Sequence, residues 1–389
     1  MSPISQSLED LPPPPPDALA HSKRVRALIQ ADIQRAGGRV PFSRFMELAL
    51  YAPGLGYYSA GARKFGAAGD FVTAPEISPL FSHCLGRQSA ELLQALGGGD
   101  VLELGAGSGA MAAHLLQEMR RQEREPQNYL ILEVSADLRQ RQRATIKARA
   151  PEFLSRVQWL EALPEAFTGV MLGNEVLDAL PVARFRRARS GFQEFNVAME
   201  GEGFRWELAD ASLALDDTLT DLESMLPEPL AEGYVSEYCP TLAPLVASLA
   251  AALTRGAMLF MDYGYTRAAY YHPQRSMGTL MCHYRQRAHG DPFFQVGLQD
   301  ITAHVDFSAV AAAGTAAGLE LAGYSTQTHF LLALGIGEAA LNAGPAAVQQ
   351  VKRLTLPEEM GELFKAIGFT KGIDIDLGGF KLRDLSRTL

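Results

Sequence analysis

Three cysteines, Cys84, Cys239 and Cys282, are all that the 389 residues contain. They are too few and too scattered for a disulfide framework or a cysteine-rich zinc site, so a reducing compartment is expected. Charge of the basic sign is in deficit: 35 basic residues against 44 acidic ones leave a formal net charge of −9. That is the wrong sign for a protein that grips nucleic acid mainly through its phosphates. No run approaches the ~18 consecutive apolar residues of a membrane helix, and Glu9 and Asp10 stand where a signal peptide needs an apolar stretch. These absences exclude nucleic-acid binding by charge and membrane insertion, and they predict a cytoplasmic chain. What is present is ordinary globular usage, 47 % apolar and 20 % charged, in a length that suits about two to three domain-sized units or one large α/β domain with insertions.

The pattern along the chain divides it. Residues 1–22 include the five prolines Pro12 to Pro16 and read as a disordered, extended tail. Residues 23–99 read as a helical segment, with helices expected over Val25–Ala36 and Phe42–Leu50. Within it, residues 53–79 are punctuated by Gly and Pro yet carry Tyr57, Tyr58, Phe65 and Phe71, which favours a lid or pocket wall over a linker. An apolar stripe from Leu80 to Leu96 follows and assigns Cys84 to packing. Residues 100–389 alternate short apolar runs with helical patterns. Strands are expected at Val101–Leu104, Tyr129–Glu133, Val157–Leu160, Val170–Leu172 and Met258–Asp262, and helices at Ala110–Arg121, Asp137–Ala150 and Leu242–Leu253. This alternation predicts an α/β fold with a doubly wound, Rossmann-like parallel sheet. Insertions are expected at about 183–235, β-rich with a hairpin turning at Gly201-Glu202-Gly203, and at about 265–305. Helices at Ala346–Leu354 and Glu358–Ala366, with edge strands, complete the reading.

Val101 to Gly109 reads VLELGAGSG, an apolar strand running into a glycine turn that opens a helix. Gly105, Ala106, Gly107 and Gly109 let the backbone approach a ligand closely. The glycines alone also fit a loose dinucleotide pattern, but the acids discriminate. Glu103, inside the strand, suits a cationic amino group and repels a pyrophosphate. Glu133 ends the next strand where an acid holds the two ribose hydroxyls of an adenosine, with Val134 and Ser135 following it into the same pocket. Ammonium, sulfonium and ribose without phosphate describe S-adenosylmethionine, with S-adenosylhomocysteine as product. A nicotinamide-dependent oxidoreductase is the reading that Glu103 disfavours.

Gly173 to Pro181 reads GNEVLDALP after the fourth strand, at the same carboxyl edge, where polar groups orient a methyl acceptor in line with the sulfonium. Amino-base methyltransferases carry Asn-Pro-Pro-Tyr here. Asn174 followed by Glu175 points instead to a guanidinium, whose fork of donors matches carboxylates. Asn174, Glu175 and Asp178 are the candidate catalytic residues, Asn174 being a cofactor-binding candidate as well, with the two acids sharing one face of a helical turn or, alternatively, Asp178 capping or packing locally while Asn174 or Glu175 acts.

These segments, with PGLGYYSAGARKFGAAGDFVTAPEISPLFSHCLGRQ (53–88), ILEVSADLRQRQ (131–142), FMDYG (260–264) and QDITAHVDF (299–307), resemble the MidA-like class I S-adenosylmethionine-dependent methyltransferases over residues 25–385. That family includes a mitochondrial complex I assembly factor that methylates a protein arginine. The resemblance implies a type II protein arginine methyltransferase, EC 2.1.1.-, acting symmetrically on the ω nitrogens of an arginine in the quinone-site subunit of respiratory complex I. It also makes Thr73, Pro75 and Glu76 candidates for the cofactor or acceptor pocket. His283, His289 and His304 lie in or near matching segments and are read as structural before catalytic. No metal is expected. The rival function is a non-catalytic assembly protein that keeps the cofactor fold and holds a partner, against which the intact glycine turn and flanking acids weigh.

Overall fold

The computed structural model describes residues 13–59 and 72–389, which separate into two units. One comprises residues 72–177, 242–266 and 305–389. Among the described residues it is built on an eight-stranded sheet, seven of whose strands are numbered here: β1 (Asp100–Leu104), β2 (Tyr129–Leu132), β3 (Val157–Leu160), β4 (Phe167–Asn174), β5 (Leu253–Tyr265), β6 (Glu320–Thr326) and β7 (Phe364–Lys371). Their order is β6-β7-β5-β4-β1-β2-β3. The five from β5 to β3 are parallel, and β7 runs antiparallel between β5 and β6. The eighth, Val305–Asp306, pairs with the end of β5. Strand order reverses between β1 and β4, which puts the ligand crevice of such sheets at their carboxyl ends.

Apolar runs become interior strands here because helices cover both faces, leaving no solvated side to alternate toward. Val101, Leu102, Tyr129, Ile131, Val170 and Leu172 are all buried. Pro79–Leu96 forms one covering helix, started by the Ser78 hydroxyl accepting from the Leu80 amide and ended by Gly97 in the left-handed region (φ +79°), where a side chain would be strained. Its stripe packs against Leu115, Leu116 and Met119. Cys84 lies inside that core, its thiol pushed up to about 12 by burial. Helices Ala110–Arg121 and Ala136–Arg149 connect β1 to β2 and β2 to β3.

The other unit gathers the described residues of 1–71 with 178–241 and 267–304. The two expected insertions therefore join the N-terminal helices in one unit, while 72–99, expected with the N-terminal segment, belong to the sheet. Strands Arg39–Pro41, Ala183–Arg187, Phe192–Glu200, Gly203–Asp210 and Val235–Tyr238 form an antiparallel sheet, with the hairpin turning at Gly201-Glu202 as its glycines demand. Met281–Tyr284, Arg287–His289 and Asp300–Thr302 form a second, smaller sheet. Phe45 packs edge-on to both Phe204 and Phe293 in its core.

Two expectations need correction. The tail expected to be disordered through residue 22 turns helical at Pro16, in a helix reaching Arg35. Proline supplies a preset φ at the first turn, where its missing donor costs nothing. The rest of that proposed arm, residues 1–12, lies outside the described residues, as do residues 60–71 of the proposed lid. The helix expected at Glu358–Ala366 is a turn followed by β7. Phe364, Ala366, Ile367 and Phe369 are buried because this strand lies between two others, a tertiary environment that overrides a short helical period.

Candidate cofactor site and acceptor loop

Three loops of the sheet unit pack together at the carboxyl ends of its strands. The turn after β1 holds Gly105, Gly107 and Gly109 at φ of +61°, +52° and +82°, all left-handed. A Cβ on Gly105 would sit 3.1 Å from Val176 Cγ1 in the loop after β4. Ser108 donates its hydroxyl to the Glu76 carboxylate, and the Ala74 amide donates to Glu175 Oε1 at 3.2 Å. The short helix Ala74–Ile77, preceded by Thr73 and carrying Pro75 in its first turn, thus links the glycine turn to the loop after β4. Thr73, Pro75 and Glu76 reach this edge through that link, which no spacing argument revealed.

Glu103 is fully buried in β1 and accepts the Tyr129 hydroxyl at 2.6 Å. Burial pushes its carboxyl up to about 7, the Tyr129 bond pulls it down, and the charge of Glu133 pushes it up again. Glu133 directly follows the neighbouring strand, with Oε1 accepting the Ser135 amide at 2.9 Å and Oε2 accepting the Gln142 side-chain amide at 3.1 Å. Ser135 also caps the helix Ala136–Arg149, and Val134 between them is an exposed apolar side chain. Two buried acids beside a glycine turn suit a cationic, phosphate-free nucleoside, since a bound cation lowers the cost of ionising a desolvated carboxyl. Among the described residues no cluster of His, Cys, Asp and Glu is able to hold a metal ion, and no helix is long and apolar enough to cross a membrane.

At the end of β4, Asn174 is the last strand residue and Glu175 adopts φ +52°. The Glu175 amide donates to the Met261 carbonyl at 2.8 Å, and its Oε1 accepts the Asn174 side-chain amide at 3.1 Å. The expected helical turn over Glu175 to Asp178 does not form: the left-handed residue and bends that follow replace it. What fixes this loop is Asp262, wholly buried in β5, whose Oδ2 accepts the amides of Val176 at 3.1 Å and Leu177 at 2.8 Å. The sequence contains FMDYG, but nothing in it pairs residue 262 with residues 176 and 177.

Asp178 belongs to the other unit. Its carbonyl accepts the Ala303 amide at 3.0 Å and its side chain is buried. In that unit Tyr58 donates to both oxygens of Asp300 at 2.9 Å, and Tyr51 stacks on Tyr58 at 5.5 Å while donating to the Ala179 carbonyl at 2.9 Å. Burial first, then the charges of Asp300 and Asp178, hold both phenols well above their usual range. Sequence reasoning missed this cluster, although Asp300 lies in QDITAHVDF. His283, pushed down to about 4 by burial and by His289, and His289, lowered mainly by burial, are neutral members of the smaller sheet. The His304 amide donates to the Thr279 hydroxyl.

The sheet order, the glycine turn and its two acids define a class I S-adenosylmethionine-dependent methyltransferase. Residues 84–325 match the model of Methyltransf_28, a family of S-adenosyl-L-methionine-dependent methyltransferases, and the chain belongs to that family. It resembles a crystal structure of a COG1565 superfamily member from Burkholderia thailandensis bound to S-adenosyl-homocysteine, with 47 % identity and a TM-score of 0.93 over 98 % of this chain and 100 % of that one. It is also similar to the mitochondrial protein arginine methyltransferase NDUFAF7 of Danio rerio, 27 % identical over 85 % of this chain and 83 % of the relative. The Mus musculus protein of that name is 29 % identical over 85 % and 80 %. S-adenosylmethionine is the cofactor, and the MidA-like resemblance read from the sequence agrees with these matches.

Proposed function

We propose that the chain transfers methyl groups to the guanidinium of a protein arginine. The observation that carries this is Glu175, a carboxylate held in a left-handed turn at the end of β4, within a loop packed on the glycine turn. The names of the curated relatives support it. Bound S-adenosylmethionine supplies an electrophilic methyl group. Glu103 would hold the cofactor's ammonium and Glu133 its ribose hydroxyls, with Gly105, Ala106, Gly107, Gly109 and Val134 lining the same pocket. Asn174 and Glu175 orient the acceptor. A guanidinium stays protonated throughout the physiological range, so abstracting its proton first is strongly uphill. The acids therefore align the attacking nitrogen and stabilise its charge, and the proton leaves late. The acceptor to test first is an arginine of the quinone-site subunit of respiratory complex I, the partner that the family resemblance implies, with two ω nitrogens methylated in turn.

The test is mass spectrometry of that subunit and of arginine peptides after incubation with protein and S-adenosylmethionine, for the parent and Glu175→Gln. Removing one charged contact from the acceptor is expected to slow transfer about 100-fold, with S-adenosylhomocysteine affinity within about threefold. Full methylation by Glu175→Gln overturns the role of Glu175, and methyl groups found only on lysine or carboxyl side chains overturn the acceptor class.

A further inference from the structure

Gln142 lies wholly buried on the helix Ala136–Arg149. Its Oε1 accepts the Trp159 indole N–H at 2.9 Å, and its Nε2 donates to Glu133 Oε2 at 3.1 Å and to the Gly107 carbonyl at 3.2 Å. An indole nitrogen only donates, while a carbonyl and a carboxylate only accept, so the amide has one possible orientation. A single side chain thus ties the glycine turn after β1, the acid after β2 and the tryptophan of β3 into one chain of bonds. The backbone is equally close, since a Cβ on Gly109 would lie 2.9 Å from Gln142 Cα.

We propose that Gln142, braced by Trp159, is the positioning residue that sets the Glu133 carboxylate for the cofactor's ribose while holding the Gly107 carbonyl of the glycine turn, and that Trp159 reports occupancy of the site. This rests on the reading of Glu133 as the ribose acceptor. With Gln142 gone, Oε2 loses this donor while the Ser135 amide still holds Oε1, and the carboxylate is less firmly set. Trp159 senses the change because its N–H shares an amide with the acid that the ligand meets. The near-isosteric Gln142→Glu replaces the donor with a carboxylate facing Glu133, and two facing carboxylates do not both ionise freely. Lowering the pH lets the pair share a proton and restores the bond, an outcome that a merely space-filling role does not produce.

The experiment is calorimetric titration of the full chain with S-adenosylhomocysteine, together with tryptophan emission in a Trp206→Phe background, where Trp159 is the one tryptophan left of two. Gln142→Leu is expected to weaken binding about tenfold or more and Trp159→Phe about threefold. The ligand-induced emission change is expected to vanish when Gln142→Leu is added. Between pH 7 and 5.5 the affinity of Gln142→Glu is expected to follow a flatter or inverted profile relative to the parent. Parent-like affinity in Gln142→Leu, or a Gln142→Glu profile parallel to the parent's, overturns the proposal. If Gln142→Leu fails to fold, Gln142→Glu and Trp159→Phe carry the test. A Glu133→Gln arm separates the two levels. Unchanged binding there sinks the ribose reading itself, whereas weakened binding there with normal binding in Gln142→Leu sinks only the role of Gln142.

Discussion

The loops after β2 and β4 end neighbouring parts of one parallel array, and each carries an acid, yet they are held by different means. Glu133 is fixed by Ser135 and Gln142, two and nine residues along the chain. Glu175 is fixed by the amide of Ala74, 101 residues away, and its loop by Asp262, 86 residues from Val176. The acid of the cofactor end is therefore held by residues close to it in the chain, and the acceptor end is assembled from distant segments. Changes to the second are expected to alter transfer while leaving cofactor binding largely intact.

The largest expected effect tests that separation directly. Asp262→Ala removes the acceptor of the Val176 and Leu177 amides, and misplacement of a reacting group by about 1 Å costs on the order of 100-fold in rate. Methyl transfer is expected to fall about that far while S-adenosylhomocysteine affinity changes less than about threefold. Equal loss of both in paired kinetic and calorimetric measurements breaks the comparison. A smaller effect sharpens the cofactor side. Glu103 is held up at about 7, and a ligand ammonium favours its ionised form. Affinity is expected to rise about fivefold from pH 6 to 7 and to lose that dependence in Glu103→Gln, as isothermal titration at several pH values checks. The same shift has the opposite sign for the free protein. A carboxyl raised on folding contributes stability below its unfolded value of 4.5 that is lost as pH rises through about 7, so the cofactor stabilises most at neutral pH. The smallest effect concerns Val134, exposed and apolar. Val134→Ser removes about two carbons of contact area, weakening cofactor binding about threefold without lowering the melting temperature.

The same contrast explains what was legible in the sequence. Ala110–Arg121 and Val157–Leu160 follow from periodicity, and the glycine turn with its acids from local chemistry, because those elements consult only neighbours. Asn174 and Glu175 were visible as polar residues after a strand, but not the left-handed turn that presents Glu175, because it is imposed by a carboxylate on another strand. Asp178 looked like a helical partner of Glu175 for the same reason. Gln142 and Trp159 gave no signal, since an amide in an amphipathic helix and a tryptophan in an edge strand ordinarily pack or face solvent. Thr73, Pro75 and Glu76 were recoverable only by likeness to relatives.

The position of β7 also bears on how the chain comes to fold. Residues 364–371 pair with residues 256–263 of β5 on one side and with β6 on the other, so β5 gains its neighbour on that side only from a segment synthesised well after it. Until then β5, thirteen residues long and mostly buried in the finished protein, presents an apolar edge to the surroundings of the ribosome. Such edges recruit other strands. A shortened chain lacking residues 364–371 is therefore a more hazardous product than one lacking a surface helix, and synthesis past that point is what removes the hazard.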